Sequence, residues 1–230
     1  MKRIILSLLF SLTFFAIKAQ HVDDSYDWYP RQLGLKIGMN STTLNSSNSQ
    51  MQKMSAESTS EFGWTASFAY WIPITQVFRP RIELSYDLLN ADVNYITTST
   101  NGASFQFNGS TRLSQGSLAL LPELVFGKHI QFSIFAGFQI SALLAAYKKG
   151  VQTTVDSSST VKLALDIDKK DNTISEGVDS GLLIGFGMRY RLSQRLFINA
   201  ESRFRFGTSM VYGIYKPYYW GISTGCIYQL

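Results

Sequence analysis

The sequence predicts an all-β fold, an eight-stranded antiparallel up-and-down transmembrane barrel with extended extracellular loops. Three observations carry the prediction. Eight separate segments alternate apolar and polar residues with period two, the spacing of a strand with two unlike faces. The connections between them alternate between long and short. Aromatic residues on the apolar face gather at two levels. Composition agrees: of 230 residues, 45% are hydrophobic and 14% aromatic, yet only 16% are charged, against about 25% in a soluble domain. The length suits one sizeable domain.

The N terminus is set apart. Met1–Ala19 opens with Lys2 and Arg3, runs apolar from Ile4 to Ile17 and reaches Ala19 before Gln20. A charged start, a short apolar stretch and a small residue at the cleavage point read as a secretory signal peptide. The apolar run is shorter than the ~20 residues of a spanning helix. Cleavage there divides the chain into residues 1–19 (signal peptide), 20–32 (periplasmic N-terminal segment) and 33–230 (barrel domain). No cysteine follows the apolar stretch, so no lipoprotein anchor is indicated. Losing Lys2, Arg3 and Lys18 takes the basic residues from 21 to 18 against 16 acidic, and the net charge from +5 to +2. Nucleic acid thereby loses its main argument as a partner. A single cysteine, Cys226, excludes an internal disulfide. An exported chain with no spanning helix is either soluble or a closed barrel, because every backbone polar group in lipid needs a partner within the protein.

The first segment, Leu33–Asn40, sets Leu33, Leu35, Ile37 and Met39 against Gly34, Lys36, Gly38 and Asn40. Glu61–Ile72 places Phe62, Trp64, Ala66, Phe68, Tyr70 and Ile72 on one face. Phe78–Leu88 is the clearest, with Phe78, Pro80, Ile82, Leu84, Tyr86 and Leu88 opposite Arg79, Arg81, Glu83, Ser85 and Asp87. Leu118–Phe126 follows, interrupted at Pro122, and then Phe132–Ala146. Val178–Leu192 and Leu196–Phe206 put Asp179, Arg189 and Arg191, then Glu201, Arg203 and Arg205, on their polar faces. The eighth, Tyr218–Leu230, sets Trp220, Ile222, Cys226, Tyr228 and Leu230 against Gly221, Ser223, Gly225 and Gln229.

Long polar connections follow strands one, three, five and seven: Ser41–Ser60, Leu89–Ser117, Tyr147–Gly177 and Gly207–Pro217. Pro73–Val77, Gly127–Gln131 and Ser193–Arg195 are short. Long loops outside, tight turns in the periplasm and both termini on the periplasmic side are the outer-membrane pattern. Outward Tyr70, Phe78, Phe126, Phe132, Tyr190 and Tyr228 fall near the periplasmic ends, and Phe62, Trp64, Phe206, Tyr218 and Trp220 near the opposite ends.

A soluble lipocalin-like barrel also has eight strands, with an apolar interior. Eight strands enclose too narrow a space for the large apolar face found here, so that face is assigned to lipid. The lumen then receives Lys36, Arg79, Arg81, Arg189, Arg191, Arg203 and Arg205 together with Glu83, Asp87, Glu123, Asp179 and Glu201. Mixed signs predict an internal ion-pair network rather than a selective pore, since buried charges persist when paired.

Leu33-Gly34-Leu35-Lys36-Ile37-Gly38-Met39-Asn40 resembles the first strand of the PorT-like outer-membrane barrel family of Bacteroidota. Leu121-Pro122-Glu123-Leu124 is similar to that family's fourth strand, where a proline often sits among aliphatics. Phe135-Ala136-Gly137-Phe138 and Gly185-Phe186-Gly187-Met188-Arg189-Tyr190 look like its fifth and sixth. The resemblance covers nearly the whole mature chain through loose motifs. It implies an outer-membrane barrel whose role is often unknown, with one branch serving a protein-secretion apparatus; no motif here marks that branch. Members usually end in an aromatic that the barrel-assembly machinery recognises during insertion, whereas this chain ends in Leu230, with Tyr228 two residues before it.

Catalytic chemistry finds little support. The two histidines, His21 and His129, lie in the N-terminal segment and in a predicted periplasmic turn, neither opposite a nucleophile at the outer rim. Glu83 and Asp87 share a face with arginines, which favours ion pairing over acid–base work. Asp166, Asp168 and Asp171 imitate a calcium loop, but Lys170 stands where a ligand is needed, and the glycine and terminal glutamate are missing. Gly185-Phe186-Gly187 sits mid-strand with no helix after it, so its glycines relieve crowding in the lumen rather than cradle phosphate. Cys226 falls on the lipid face as an inert thiol. No catalytic, metal or cofactor site is therefore assigned. In Val151–Ile167 apolar residues alternate around Asp156-Ser157-Ser158-Ser159, which predicts that strands five and six continue beyond the membrane as a hairpin. Leu89, Ala91, Val93 and Tyr95 reverse the phase of strand three, which predicts a bulge near Leu88 and a second extension. The function expected is structural or interactive, as an accessory of an envelope or secretion complex, with outer-membrane lipid around the barrel and a protein partner at its extracellular loops. A narrow channel is the alternative, and an outer-membrane enzyme comes third.

Overall fold

The computed structural model describes residues 30–46, 54–98, 104–155, 161–170, 178–207 and 215–230. The leader, His21, Asp171 and the turn at Asp156-Ser157-Ser158-Ser159 lie outside the described residues. Ten strands form one antiparallel sheet: β1 (Gln32–Ser46), β2 (Met54–Trp71), β3 (Arg81–Thr98), β4 (Ser104–Leu121), β5 (Glu123–Phe126), β6 (Ile130–Val155), β7 (Val161–Lys170), β8 (Val178–Arg191), β9 (Leu196–Gly207) and β10 (Tyr215–Gln229). Each neighbour in the order β4-β3-β2-β1-β10-β9-β8-β6 is hydrogen-bonded, and β4 pairs back onto β6. The sheet is thus a closed barrel of eight staves.

Two of the ten strands are not staves. Pro122, which has no N–H to give the ladder, separates β4 from β5, and β5 continues the same stave against β6. Pro80 marks the matching break at the start of β3, across which Phe78 still bridges Leu124. β7 folds back along the outer half of β6, from Tyr147↔Lys170 to Val155↔Val161. That is the predicted extracellular hairpin.

The expected long polar loops are mostly strand. β3 and β4 pair without interruption from Arg81↔Leu121 to Thr98↔Ser104, and β6 runs 26 residues, well beyond the roughly 9–11 that cross a bilayer. The predicted bulge near Leu88 is corrected. β3 keeps one phase throughout, and Leu89, Ala91 and Val93 are buried on the same inward face as Arg81, Glu83 and Asp87. What changes is the chemistry of the interior, from charged to apolar, and not the pleat. The irregularity lies on the partner strand, between Ser60 and Trp64 of β2.

The apolar face points outward. Leu35, Ile37, Phe132, Phe138 and Phe186 are all more than half exposed, which is tenable only in lipid. Both aromatic levels are present. Tyr70 and Tyr228 flank Leu33 at one end. At the other, Phe62 and Trp220 flank Ser41, Phe204 lies tilted against Trp220 at 6.3 Å and Phe206 meets Tyr218 edge-on at 6.1 Å. Eight residues of strand at ~3.3 Å each, tilted by about 40°, separate the levels by roughly 20 Å. Ile37 stands midway. Ile37→Arg is expected to destabilise the barrel in lipid vesicles by about 2–4 kcal/mol, read from urea titration of the heat-modifiable band, whereas Leu165→Arg on β7 leaves the midpoint unchanged.

Candidate functional site: the barrel interior

Inward positions recur every second residue, so each stave delivers its polar face to one narrow space. Ten of the twelve charged residues assigned to the lumen from sequence are buried there: Lys36, Arg81, Glu83, Asp87, Glu123, Asp179, Arg189, Glu201, Arg203 and Arg205. The other two are not. Arg79 lies in the turn before β3, where its guanidinium donates to the Gln76 carbonyl at 3.2 Å. Arg191 keeps the inward phase but sits at the end of β8, exposed, donating to the carbonyls of Ser193 and Gln194. Each has run past the last turn of barrel wall and reached the periplasmic rim.

Their departure leaves five cations and five carboxylates inside among the described residues, a balance of charge. Glu201 is its centre. Arg81 donates to Glu201 through both terminal guanidinium nitrogens, at 2.6 Å and 3.1 Å. Lys36 Nζ reaches Glu201 at 3.0 Å and Glu83 at 2.6 Å, and Arg203 reaches Glu83 at 2.6 Å and Glu201 at 3.3 Å. Nearer the periplasm, Glu123 accepts from Arg189 at 2.6 Å and from the Trp71 indole at 2.5 Å. Nearer the outside, Arg205 pairs with Asp179 and also reaches the Ser141 hydroxyl. Asp87 accepts from the hydroxyls of Thr65, Ser85 and Ser117 at 2.6, 3.0 and 3.0 Å. Paired geometry with several donors per carboxylate is what keeps ions charged away from bulk water.

The interior also holds large side chains that the sequence reading did not place there. Trp71 is fully buried, with the charges of Arg189, Arg81 and Lys36 at 4.9, 5.6 and 5.8 Å from its ring, within cation–π range. Arg81 stacks at 4.1 Å over Phe135. Glycines on neighbouring staves make the room. A Cβ at Gly34 would lie 2.8 Å from the Trp71 ring, and one at Gly185 would collide with Phe135. The crowding relief expected of Gly185 is therefore specific to one aromatic. Period two carried from Gly63 through Ala69 lands on Trp71, so the signal for it was present.

Apolar clusters close the two ends. Ala69, Trp71, Phe197 and Ile227 pack together at the periplasmic end. Leu89, Ala91, Val93, Leu113, Ala146 and Tyr219 pack at the extracellular end, where the Tyr219 hydroxyl donates to Gln139 at 3.2 Å. Charged layer and apolar caps together fill the bore.

Asp168 is paired with Lys149 at 3.4 Å on the exposed β6–β7 hairpin, and no group of three potential metal ligands occurs among the described residues. Cys226 is exposed on the lipid face.

A closed β-barrel with a lipid-facing apolar belt and a neutral, salt-bridged bore is an outer-membrane protein. The chain belongs to the family described as outer membrane protein beta-barrel domain, whose model matches residues 19–214. Among solved structures it is similar to Neisserial surface protein A, at 10% identity over 87% of this chain and 97% of that one, with a TM-score of 0.49. It is also similar to OprG of Pseudomonas aeruginosa, at 12% identity over 88% and 97%, with a TM-score of 0.47. Ail of Yersinia pestis follows, at 9% identity over 86% and 99%, with a TM-score of 0.39. No curated protein matches the sequence.

Glu201→Gln leaves Arg81, Lys36 and Arg203 short of one buried carboxylate charge. It is expected to cost about 3–5 kcal/mol in vesicle unfolding. Arg191→Gln, at the exposed rim, is expected to change the same midpoint by less than about 0.5 kcal/mol.

Proposed function

We propose that this is a structural or interaction barrel of the outer membrane, in the PorT-like group, accessory to a larger envelope assembly and without catalysis of its own. The filled bore is the observation that carries the reading. Nine of the ten buried charges are ion-paired, Asp87 is held by three hydroxyls, and apolar clusters cap both ends, so side chains occupy the bore from the charged layer to each cap. The narrow-channel alternative needs a continuous polar path. Planar-bilayer recordings of the purified protein are expected to show no steady unitary openings; reproducible openings would restore the channel.

A partner surface is supplied by the extracellular sheet. Among the described residues β7 pairs with β6 alone, so its other edge offers main-chain donors and acceptors of the kind that recruit an added strand. Half-exposed Leu165 lies on it. The PorT-like placement rests on the first-strand, Leu-Pro-Glu-Leu and glycine–aromatic segments. Affinity purification from native membranes is expected to recover an envelope protein with the intact chain and to lose it when residues 151–167 are deleted. An unchanged set of captured proteins would count against the hairpin as the contact.

A further inference from the structure

The two arginines excluded from the bore belong to a wider asymmetry. At the end of the barrel that carries the short turns, the described residues place Arg31 beside the C-terminal residue, Arg79 before β3, Lys128 in the β5–β6 turn, and Arg191 and Arg195 around the β8–β9 turn. Arg31, Lys128, Arg191 and Arg195 are exposed. No Asp or Glu side chain occurs among the described residues of these turns. The opposite rim is different: its outward Arg112 lies beside Glu61, which also meets Asp92, and Lys149 is paired with Asp168.

The periplasmic cations are held at the level of the bilayer interface. Arg195 lies beside Tyr228, whose ring is in the outward aromatic girdle and 45% exposed. Lys128 sits in the turn that joins outward Phe126 to outward Ile130 and Phe132. Arg191 lies 5.9 Å from the Phe197 ring that closes the bore, with its guanidinium oriented by two turn carbonyls. These groups ring the barrel across separate connections instead of converging on one pocket. The exposed cations Arg31, Lys128, Arg191 and Arg195, spaced around the rim just beyond an aromatic girdle, match the phosphate layer of a lipid leaflet.

We propose that this rim binds anionic phospholipid headgroups of the periplasmic leaflet, forming a selective lipid annulus on that side only. Exposed guanidinium and ammonium groups supply charge-assisted hydrogen bonds to phosphate, while the girdle aromatics hold the acyl–headgroup boundary. The proposal rests on the barrel standing with its short turns in the periplasm and is independent of the partner reading above.

The test uses the full mature chain in phosphatidylcholine vesicles, with spin-labelled phosphatidylglycerol and spin-labelled phosphatidylcholine compared by electron paramagnetic resonance. Phosphatidylglycerol is expected to associate about fivefold more strongly. K128Q/R191Q/R195Q is expected to bring the two lipids level while keeping the heat-modifiable band, and R112Q/K149Q is expected to retain the preference. High salt, which screens exposed charge, is expected to abolish it in the unaltered protein, so the idea can be judged even where a variant fails to fold. An absence of preference in the unaltered protein overturns the proposal. So does a preference that survives the triple substitution, or one lost equally in R112Q/K149Q.

Discussion

Backbone pairing in a medium without water is the constraint on which the rest depends. The first strand must find the last, and β1 meets β10 along its whole length, from Gln32↔Gln229 to Ser46↔Tyr215. Closure at eight staves then sets the bore, and the bore sets what the inward positions can carry. Residues that would be ordinary on an open sheet become members of one crowded volume. Lys36, Glu83 and Glu201 come from three staves and different parts of the chain, yet both carboxylates lie within 3.0 Å of the Lys36 ammonium group.

That volume is filled by complementarity at two scales. Charge is balanced five against five, with Glu201 and Glu83 each shared among several cations. Shape is balanced stave by stave, with Gly34 yielding to Trp71 and Gly185 to Phe135. Buried ions alone are a weak source of stability, because desolvation offsets much of their attraction. The apolar clusters at both ends keep water from competing with the ion pairs and supply burial that the charges do not.

The eight staves, their outward faces and the extracellular hairpin were all legible, because period two and turn spacing are local properties of the chain. Ten of twelve lumen charges could be placed from the same phase. Arg79 and Arg191 could not, since phase says which way a residue points and not whether any wall remains beside it. Leu89, Ala91 and Val93 were misread for a related reason. Apolar residues in an inward phase look like a phase reversal when the interior is assumed to be uniformly polar. Trp71 was passed over because the space that admits it belongs to Gly34 on a neighbouring stave.

By itself the sequence determined the direction of most strand side chains and the membrane setting, both of which follow from the two-residue repeat and the chemistry of each face. The tertiary structure decided which charges meet, where the charged layer gives way to apolar caps, and which two cations are left for the rim. Those outcomes depend on the relative register of staves far apart in the chain and on the height at which each one ends. Neither quantity is written in any single segment.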